Sequence, residues 1–360
     1  MNHPSTDATW AGRADRLQDS VAALYGAPWP QYLHNTVPFA DGDDATFNYW
    51  WLAHLMDCRL DAYDRSGEGR WLDEARTAHR NIVERNGGSL FNDYFDDMLW
   101  FALATLRLAE LGGEQRYEDD AVALWDHVVE HGWNDAQGPS LAWRKQQLEY
   151  KNTPANGPLA ILGARLHRRT GKSEYLEKAW AALDWVTRTL RSPDGFVEDG
   201  INRVGDGQVD TQWRFTYNQG LYVGAVVELE PYVDGRVALD DAVRTARVAI
   251  EQLSDGRVFH DEGPDGDEGL FKGVFYRYAG LLADRLPAGS ADRELLDGFL
   301  RRSTDALWSD GLDGRDDAEG PLLAGNDWST PPSGRVYYST ELSALMATEQ
   351  RAALESAPQR

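Results

Sequence analysis

Apolar side chains recur three and four apart along most of the 360 residues, the period that gathers them on one face of a helix. Alternating runs of strand type are scarce, and Gly, Pro and Asp clusters interrupt the pattern. The spacing predicts twelve helices, at 8–25, 45–65, 70–86, 95–111, 116–131, 155–170, 173–190, 217–230, 235–253, 269–286, 290–308 and 339–355. The odd-numbered ones are amphipathic. WLDEARTAHRNIVER (71–85) and YLEKAWAALDWVTRTL (175–190) each carry one apolar and one charged face, the mark of a half-wet surface helix. The even-numbered ones are apolar nearly all round: MLWFALATLRLAEL (98–111), PLAILGARLH (158–167), LYVGAVVEL (221–229) and VFYRYAGLL (274–282). Such helices belong in a core.

Wet and dry helices in alternation predict an all-α fold, an (α/α)6 barrel of six inner and six outer helices, with 1–360 as a single domain. The even helices are spaced irregularly and no strict repeat is visible, which argues against a solenoid. The Gly- and Asp-rich connections 132–154, 191–216 and 311–338 are long enough to shape a cleft and to hold short strands.

In such a barrel the inner helices run parallel, so their N-termini share one rim. Polar residues gather there. Asn48 stands at the second helix and Asp96 and Asp97 at the fourth; Asn152 and Asn156 stand at the sixth and Tyr217, Asn218 and Gln219 at the eighth. Lys272, one of five lysines, opens the tenth, and Tyr337, Tyr338 and Ser339 open the twelfth. Capping explains Asn, Asp and Ser at a helix start. It does not explain Tyr, Gln or Lys, nor the tryptophans beside them, so the set predicts a shared mouth. Lys272 could donate to a ligand oxygen or pair with an acid.

Composition narrows the ligand. A net charge of −23 disfavours nucleic acid and anionic membrane as partners, and no apolar run reaches membrane-spanning length. Fourteen tryptophans exceed ordinary packing needs and suit flat sugar faces, with Trp51, Trp100 and Trp143 as candidates. The single cysteine, Cys58, excludes an internal disulfide. The stretch MNHPSTDATWAGRADRL lacks a basic segment followed by an apolar one. The expectation is a cytoplasmic monomer, or a secreted protein if a leader has been trimmed.

FNDYFDDMLW (91–100) holds the sharpest chemistry. Neighbours on the first turn of a helix diverge by only about 100°, so Asp96 and Asp97 can reach one cleft. A helix N-terminus favours the anion. A second carboxylate and burial against Phe95 and Trp100 favour the acid. One proton shared by the pair supplies the acid and the nucleophile that glycoside cleavage uses. The plainer reading is that Asp93 caps the helix while Asp96 and Asp97 decorate its first turn.

YFDDMLW, KNTPANGPLAILGARLHRRTG, FTYNQGLYVGA and LFKGVFYRY, in this order, resemble the family-76 glycoside hydrolases, known as endo-α-1,6-mannanases. The likeness runs over about 45–350. It implies an (α/α)6 barrel that hydrolyses α-1,6-mannosidic bonds in mannan or manno-oligosaccharides with retention, needing neither metal nor cofactor. By position Asp96 resembles the nucleophile and Asp97 the general acid/base. Asp210 resembles an aspartate of the sugar cleft, and Tyr217, Asn218 and Gln219 match TYNQG as polar contacts to sugar hydroxyls.

Two rivals stay open. A sugar epimerase or isomerase of the same fold would rely on cleft histidines; the inner-helix starts hold none, His54 and His167 read as deeper and hydrogen-bonded, and His260 is the one candidate. A non-catalytic carbohydrate-binding protein would keep the tryptophans without needing both aspartates. TGKS (170–173) lacks the upstream glycine of a phosphate loop, since Leu166 stands there. No HExxH, CxxC or GxSxG occurs. The acidic loop 261–268 misses the spacing of a calcium loop and reads as solvated.

Overall fold

The computed structural model describes residues 8–232, 239–263, 266–315, 317 and 320–356. Among them are twelve α-helices of fourteen residues or more, in the predicted order. They are α1 (Trp10–Tyr25), α2 (Tyr49–Ser66), α3 (Gly69–Arg85), α4 (Phe95–Gly112), α5 (Gln115–Gly132) and α6 (Thr153–Thr170), then α7 (Ser173–Thr189), α8 (Thr216–Leu229), α9 (Leu239–Leu253), α10 (Glu268–Arg285), α11 (Ala291–Ala306) and α12 (Tyr338–Ser356). The first four positions expected for the ninth helix, 235–238, lie outside the described residues. The start expected at 45 is instead a separate 3₁₀ turn over Asp43–Ala45, and α2 begins at Tyr49.

The alternation of character becomes a double ring. Each even helix packs on the next, α2 on α4, α4 on α6, and so on to α12, which closes on α2. The odd helices line the outside. The inner helices are apolar all round because both of their sides are covered. In α4 every residue from Met98 to Leu106 is buried. This burial, and not capping, forms α4: its N-cap Tyr94 makes no side-chain capping bond and Asp93 is exposed. A cap contributes about 1 kcal/mol, whereas each large apolar side chain removed from water contributes roughly 1.5–3 kcal/mol. The proposed Asp93 cap is therefore absent, and Asp96 and Asp97 are not consumed as capping groups.

Short strands dress the rim: β1 (Thr36–Val37), β2 (Trp133–Asn134), β3 (Ser140–Arg144), β4 (Gln147–Asn152), β5 (Gly200–Ile201), β6 (Leu312–Asp313), β7 (Leu323–Ala324) and β8 (Val336–Tyr337). An antiparallel sheet in the order β2-β3-β4-β5 is built from two of the long connections. Its register is Trp133↔Leu141, Ala142↔Lys151 and Asn152↔Gly200, with a shift between Ala142 and Arg144. β1 pairs with β8, tying the chain ahead of α2 to the start of α12. No helix among the described residues is long and apolar enough to cross a membrane.

Close helix contact explains one glycine of the TYNQG segment. A Cβ on Gly220 of α8 would sit 2.7 Å from Phe275 Cα and 3.0 Å from its backbone N on α10. Backbone cannot swing aside as a side chain can. Gly220→Ala is expected to destabilise the protein by about 1–3 kcal/mol, read as a lower midpoint in chemical denaturation.

Candidate active site

Five of the six inner helices bring their first residues to one cavity of about 470 Å³. α2 contributes Asn48, Tyr49 and Trp50; α4 contributes Asp96, Asp97 and Trp100; α6 contributes Asn152 and Pro154. Phe215 and Tyr217 come from α8, and Asp267, Glu268 and Phe271 from α10. The sixth start is spent on the wall. Ser339 donates to the Gly266 carbonyl at 2.5 Å, and Tyr338 packs edge-on against Trp51 with centroids 5.1 Å apart.

Asp96 and Asp97 lie side by side, half-buried, in the first turn of α4. Their partners differ. Asp96 accepts the Asp97 backbone N–H at 3.0 Å and the indole N–H of Trp143 at 2.9 Å. Asp97 accepts Asn92 Nδ2 at 2.8 Å. Loss of water pushes the Asp96 carboxyl up to about 7, held back by the Asp97 N–H and the Trp143 indole. Asp97 is driven well above the ordinary carboxyl range, first by burial and then by the charge of Asp96. Asp267 across the cavity adds to both shifts. The pair titrates as a unit, and the two N–H donors on Asp96 favour its anion over that of Asp97, which has one amide.

Trp143 reaches Asp96 because of the sheet. Its position falls inside the register shift of β3, and such a shift re-aims a side chain. Lys145 N–H donates to the Asp93 carbonyl at 2.9 Å, and Tyr94 forms a β-bridge with Arg144, so the hairpin is laced to the residues just before α4.

The opposite wall is a polar cluster around Asp199, which follows α7 and is delivered by the pairing of β5 with β4. One oxygen accepts Tyr217 OH at 2.8 Å and Asn218 Nδ2 at 3.1 Å; the other accepts Tyr150 OH at 2.8 Å and the Arg203 guanidinium at 2.5 Å. Arg203 also bonds Asp210 at 3.0 Å and lies 4.2 Å from the centre of the Trp213 ring. The floor is aromatic. Trp100 and Phe271 flank Trp50, each with centroids 6.3 Å away, and Phe271 stacks on Tyr217 at 3.8 Å with 9° between the planes.

Of the residues singled out in the sequence, Asn48, Asp96, Asp97, Trp100, Trp143, Asn152 and Tyr217 line this cavity. Asn152 is also the N-cap of α6, accepting Ala155 N–H at 3.1 Å. The other six stand behind the lining, most of their polar atoms engaged by protein; the Asn218 Oδ1 is buried without a partner. Trp51 points between α2 and α12 and donates to Asp267 at 2.8 Å. Asn156 holds both the N–H and the carbonyl of Leu141, and Gln219 does the same for Val197. Asn218 and Asp210 brace Asp199 and Arg203. Lys272 lies one turn inside α10, not at its start, and donates to the Asn326 and His260 carbonyls. Sequence reasoning missed Trp50, Asp199, Arg203, Trp213 and Phe271. It also assigned Asp267 and Glu268 to a solvated loop, yet both line the cavity; Pro264 and Asp265 of that loop lie outside the described residues.

No histidine is among the described residues lining the cavity. His54 lies beneath the floor against Trp50 and Trp100, and burial together with Arg277 pulls it down to about 3, so it stays neutral. Nor do the described residues bring together three His, Cys, Asp or Glu side chains able to hold a metal ion. Below Trp100 and His54 a second cavity of about 620 Å³ opens toward the other end of the ring. There Arg107 and Arg277 are ion-paired with Asp57 and Asp61 at 2.6–3.2 Å. Its charges are matched within the protein, whereas the first cavity is lined by five carboxylates and one guanidinium.

A family model described as glycosyl hydrolase family 76 matches residues 9–359. The Lin0763 protein of Listeria innocua is 41 % identical, with a TM-score of 0.91 over 96 % of this chain and 98 % of that one. The α-1,6-mannanase GH76A of Salegentibacter sp. HEL1_6 is 34 % identical, with a TM-score of 0.88 over 96 % of this chain and 99 % of that one. An inactive variant of that enzyme, with asparagine at two consecutive aspartate positions, has been solved in complex with α-1,6-mannotriose. Mannan endo-1,6-alpha-mannosidase DCW1 of Saccharomyces cerevisiae is 25 % identical over 302 residues, 76 % of this chain. The chain spans 66 % of that yeast protein and 59 % of its counterpart from Candida glabrata.

Raised carboxyl groups carry a stability signature. The folded state keeps protons on Asp96 and Asp97 that the unfolded chain has already released near pH 4. Their contribution is intact below that pH and drains away as pH rises through about 7 and beyond. Asp97→Asn is therefore expected to melt higher than the wild type, with a larger gap at pH 8 than at pH 4 in thermal denaturation.

Proposed function

The chain belongs to glycosyl hydrolase family 76, and from that membership we propose that it cleaves α-1,6-mannosidic bonds with retention of configuration, using Asp96 and Asp97. The observation that carries this reading is the unequal pair: two neighbouring carboxyls over one cavity, the first accepting a backbone N–H and the Trp143 indole, the second only the Asn92 amide, with both pushed above the ordinary carboxyl range by burial. The Salegentibacter mannanase, which lost activity when two consecutive aspartates were replaced, supports the same assignment.

The steps follow from the protonation states. The Asp96 carboxylate attacks the anomeric carbon, and the glycosidic bond breaks as the Asp97 proton passes to the leaving oxygen. The sugar is then esterified to Asp96. Asp97, now anionic, takes a proton from water; the resulting hydroxide bonds to the anomeric carbon and frees Asp96. Positive charge develops on the sugar ring in both transition states, and the Asp199 carboxylate lines the same cavity. A neutral polyol also suits the lining: Asn48 and Asn152 offer amides, the carboxylates accept hydroxyl protons, and Trp50 and Trp100 present flat faces. A sugar epimerase would need a cleft base that no lining histidine supplies. A binding protein would gain nothing from two adjacent carboxyls both pushed above the ordinary carboxyl range.

Incubation with linear α-1,6-mannan and α-1,6-mannobiose tests the reading, with product lengths followed over time. Proton NMR of the first product is expected to show the α-anomer; a β-anomer would refute retention. Asp96→Asn and Asp97→Asn are each expected to fold and to lose at least about 10³-fold in kcat, and near-normal turnover by either would remove the assignment.

Trp143 gives a pH test. Activity should fall as pH drops through the Asp96 value of about 7, because the nucleophile is then protonated. It should fall again at higher pH as Asp97 loses its proton. Trp143→Phe deletes a hydrogen bond that favours the Asp96 anion, so the acidic limb of kcat/KM is expected to move to higher pH.

A further inference from the structure

Asp267 has no part in the steps above, yet it occupies an unusual place. It is the residue from which α10 starts, exposed at the cavity. Its Oδ1 accepts the indole N–H of Trp50 at 3.0 Å and that of Trp51 at 2.8 Å. Both tryptophans belong to the first turn of α2, and α12 lies between α2 and α10 in the ring. One oxygen thus bridges two helices across a third.

The two indoles leave that oxygen in different directions. Consecutive residues of a helix diverge by about 100°, so Trp51 enters the wall, edge-on to Tyr337 and Tyr338 at 5.8 and 5.1 Å. Trp50 enters the floor, half-buried, between Trp100 and Phe271. Two N–H groups converging on one acceptor leave neither ring free to turn. Without the acceptor, Trp50 keeps its apolar neighbours and loses the bond that fixes its plane. A binding surface that must be ordered during binding yields less affinity than one already ordered.

We propose that Asp267 is a positioning residue that sets the Trp50 ring as the stacking platform for the mannosyl unit beside the aspartate pair. The inference rests on the mannoside-cleaving reading given above. Asp267 acts through Trp50, so its loss shows in KM; the charge it removes also eases ionisation of Asp96 and Asp97, an effect that Asp267→Asn shares and that moves the pH profile instead.

The test is a double-mutant cycle in steady-state kinetics on α-1,6-mannotriose. It compares the wild type with Asp267→Ala, Asp267→Asn, Trp50→Phe and the combined Asp267→Ala/Trp50→Phe. Asp267→Ala is expected to raise KM about tenfold, equal to about 1.4 kcal/mol, with kcat, read at each variant's own pH optimum, within about twofold. Asp267→Asn keeps an amide oxygen for the two indoles and should stay near the wild-type KM. In the Trp50→Phe background, which has no N–H at that position, Asp267→Ala should add nothing further. An unchanged KM in Asp267→Ala, an Asn variant no better than the Ala variant, or additive effects in the double variant would each overturn the inference. A wild-type protein inert toward every α-1,6-mannoside would instead overturn the reading on which it rests.

Discussion

Two carboxyl groups in the first turn of an apolar helix cannot both ionise without a penalty in free energy, and the cleft is organised around that constraint. Water would relieve it, but the aromatic floor and the β3 strand cover part of Asp96 and Asp97, and that loss of water is the largest cause of their raised protonation. A single partner on either side would not separate them. Separation comes from unequal hydrogen bonding: Asp96 receives a backbone N–H and an indole N–H, while Asp97 receives one amide. Each bond to an anion favours that anion, so the proton settles on the less well served oxygen pair. Two chemically identical side chains thereby acquire different hydrogen-bonding environments.

The barrel is the support that makes this asymmetry possible. Six parallel inner helices bring their N-termini to one rim, and the long connections then dress that rim from above. Trp143 arrives through a register shift in β3, Asp199 through a two-residue strand, and Asp267 at the start of α10. Behind them stands a buried layer most of whose polar atoms are spent on the protein itself. Asn156 and Gln219 clamp backbone, Asn218 and Asp210 hold Asp199 and Arg203, and Gly220 lets α8 and α10 approach. The TYNQG segment accordingly divides by depth: Tyr217 reaches the cavity, and the residues after it build the wall.

The fold was legible in the sequence because helix character alternates so plainly. All twelve expected helices are present, most with ends within two residues. The rim rule, polar residues at inner-helix starts, also found Asp96, Asp97, Asn48, Asn152 and Tyr217. It failed where one residue's phase matters. Trp50 and Trp51 are indistinguishable by type, and only the rotation of α2 within the ring decides that the first faces the cavity. Lys272 was taken for the opening of α10, but the helix starts four residues earlier; the same rule applied at Asp267 would have found the cleft carboxylate. Asp199 and Arg203 carried no local signal. They reach the cavity through a strand pairing two residues long, and nothing in so short a segment announces its partner.

Trp100 faces the cleft with one side and the ion-paired chamber beneath it with the other. The bore of the ring is thus stoppered at mid-depth by one indole, seconded by the neutral ring of His54. A molecule held in the upper cavity therefore enters and leaves by one rim. The lower bay, lined by ion pairs, is parted from Asp96 and Asp97 by that same indole. A barrel open at both ends behaves as a cup with a hollow foot.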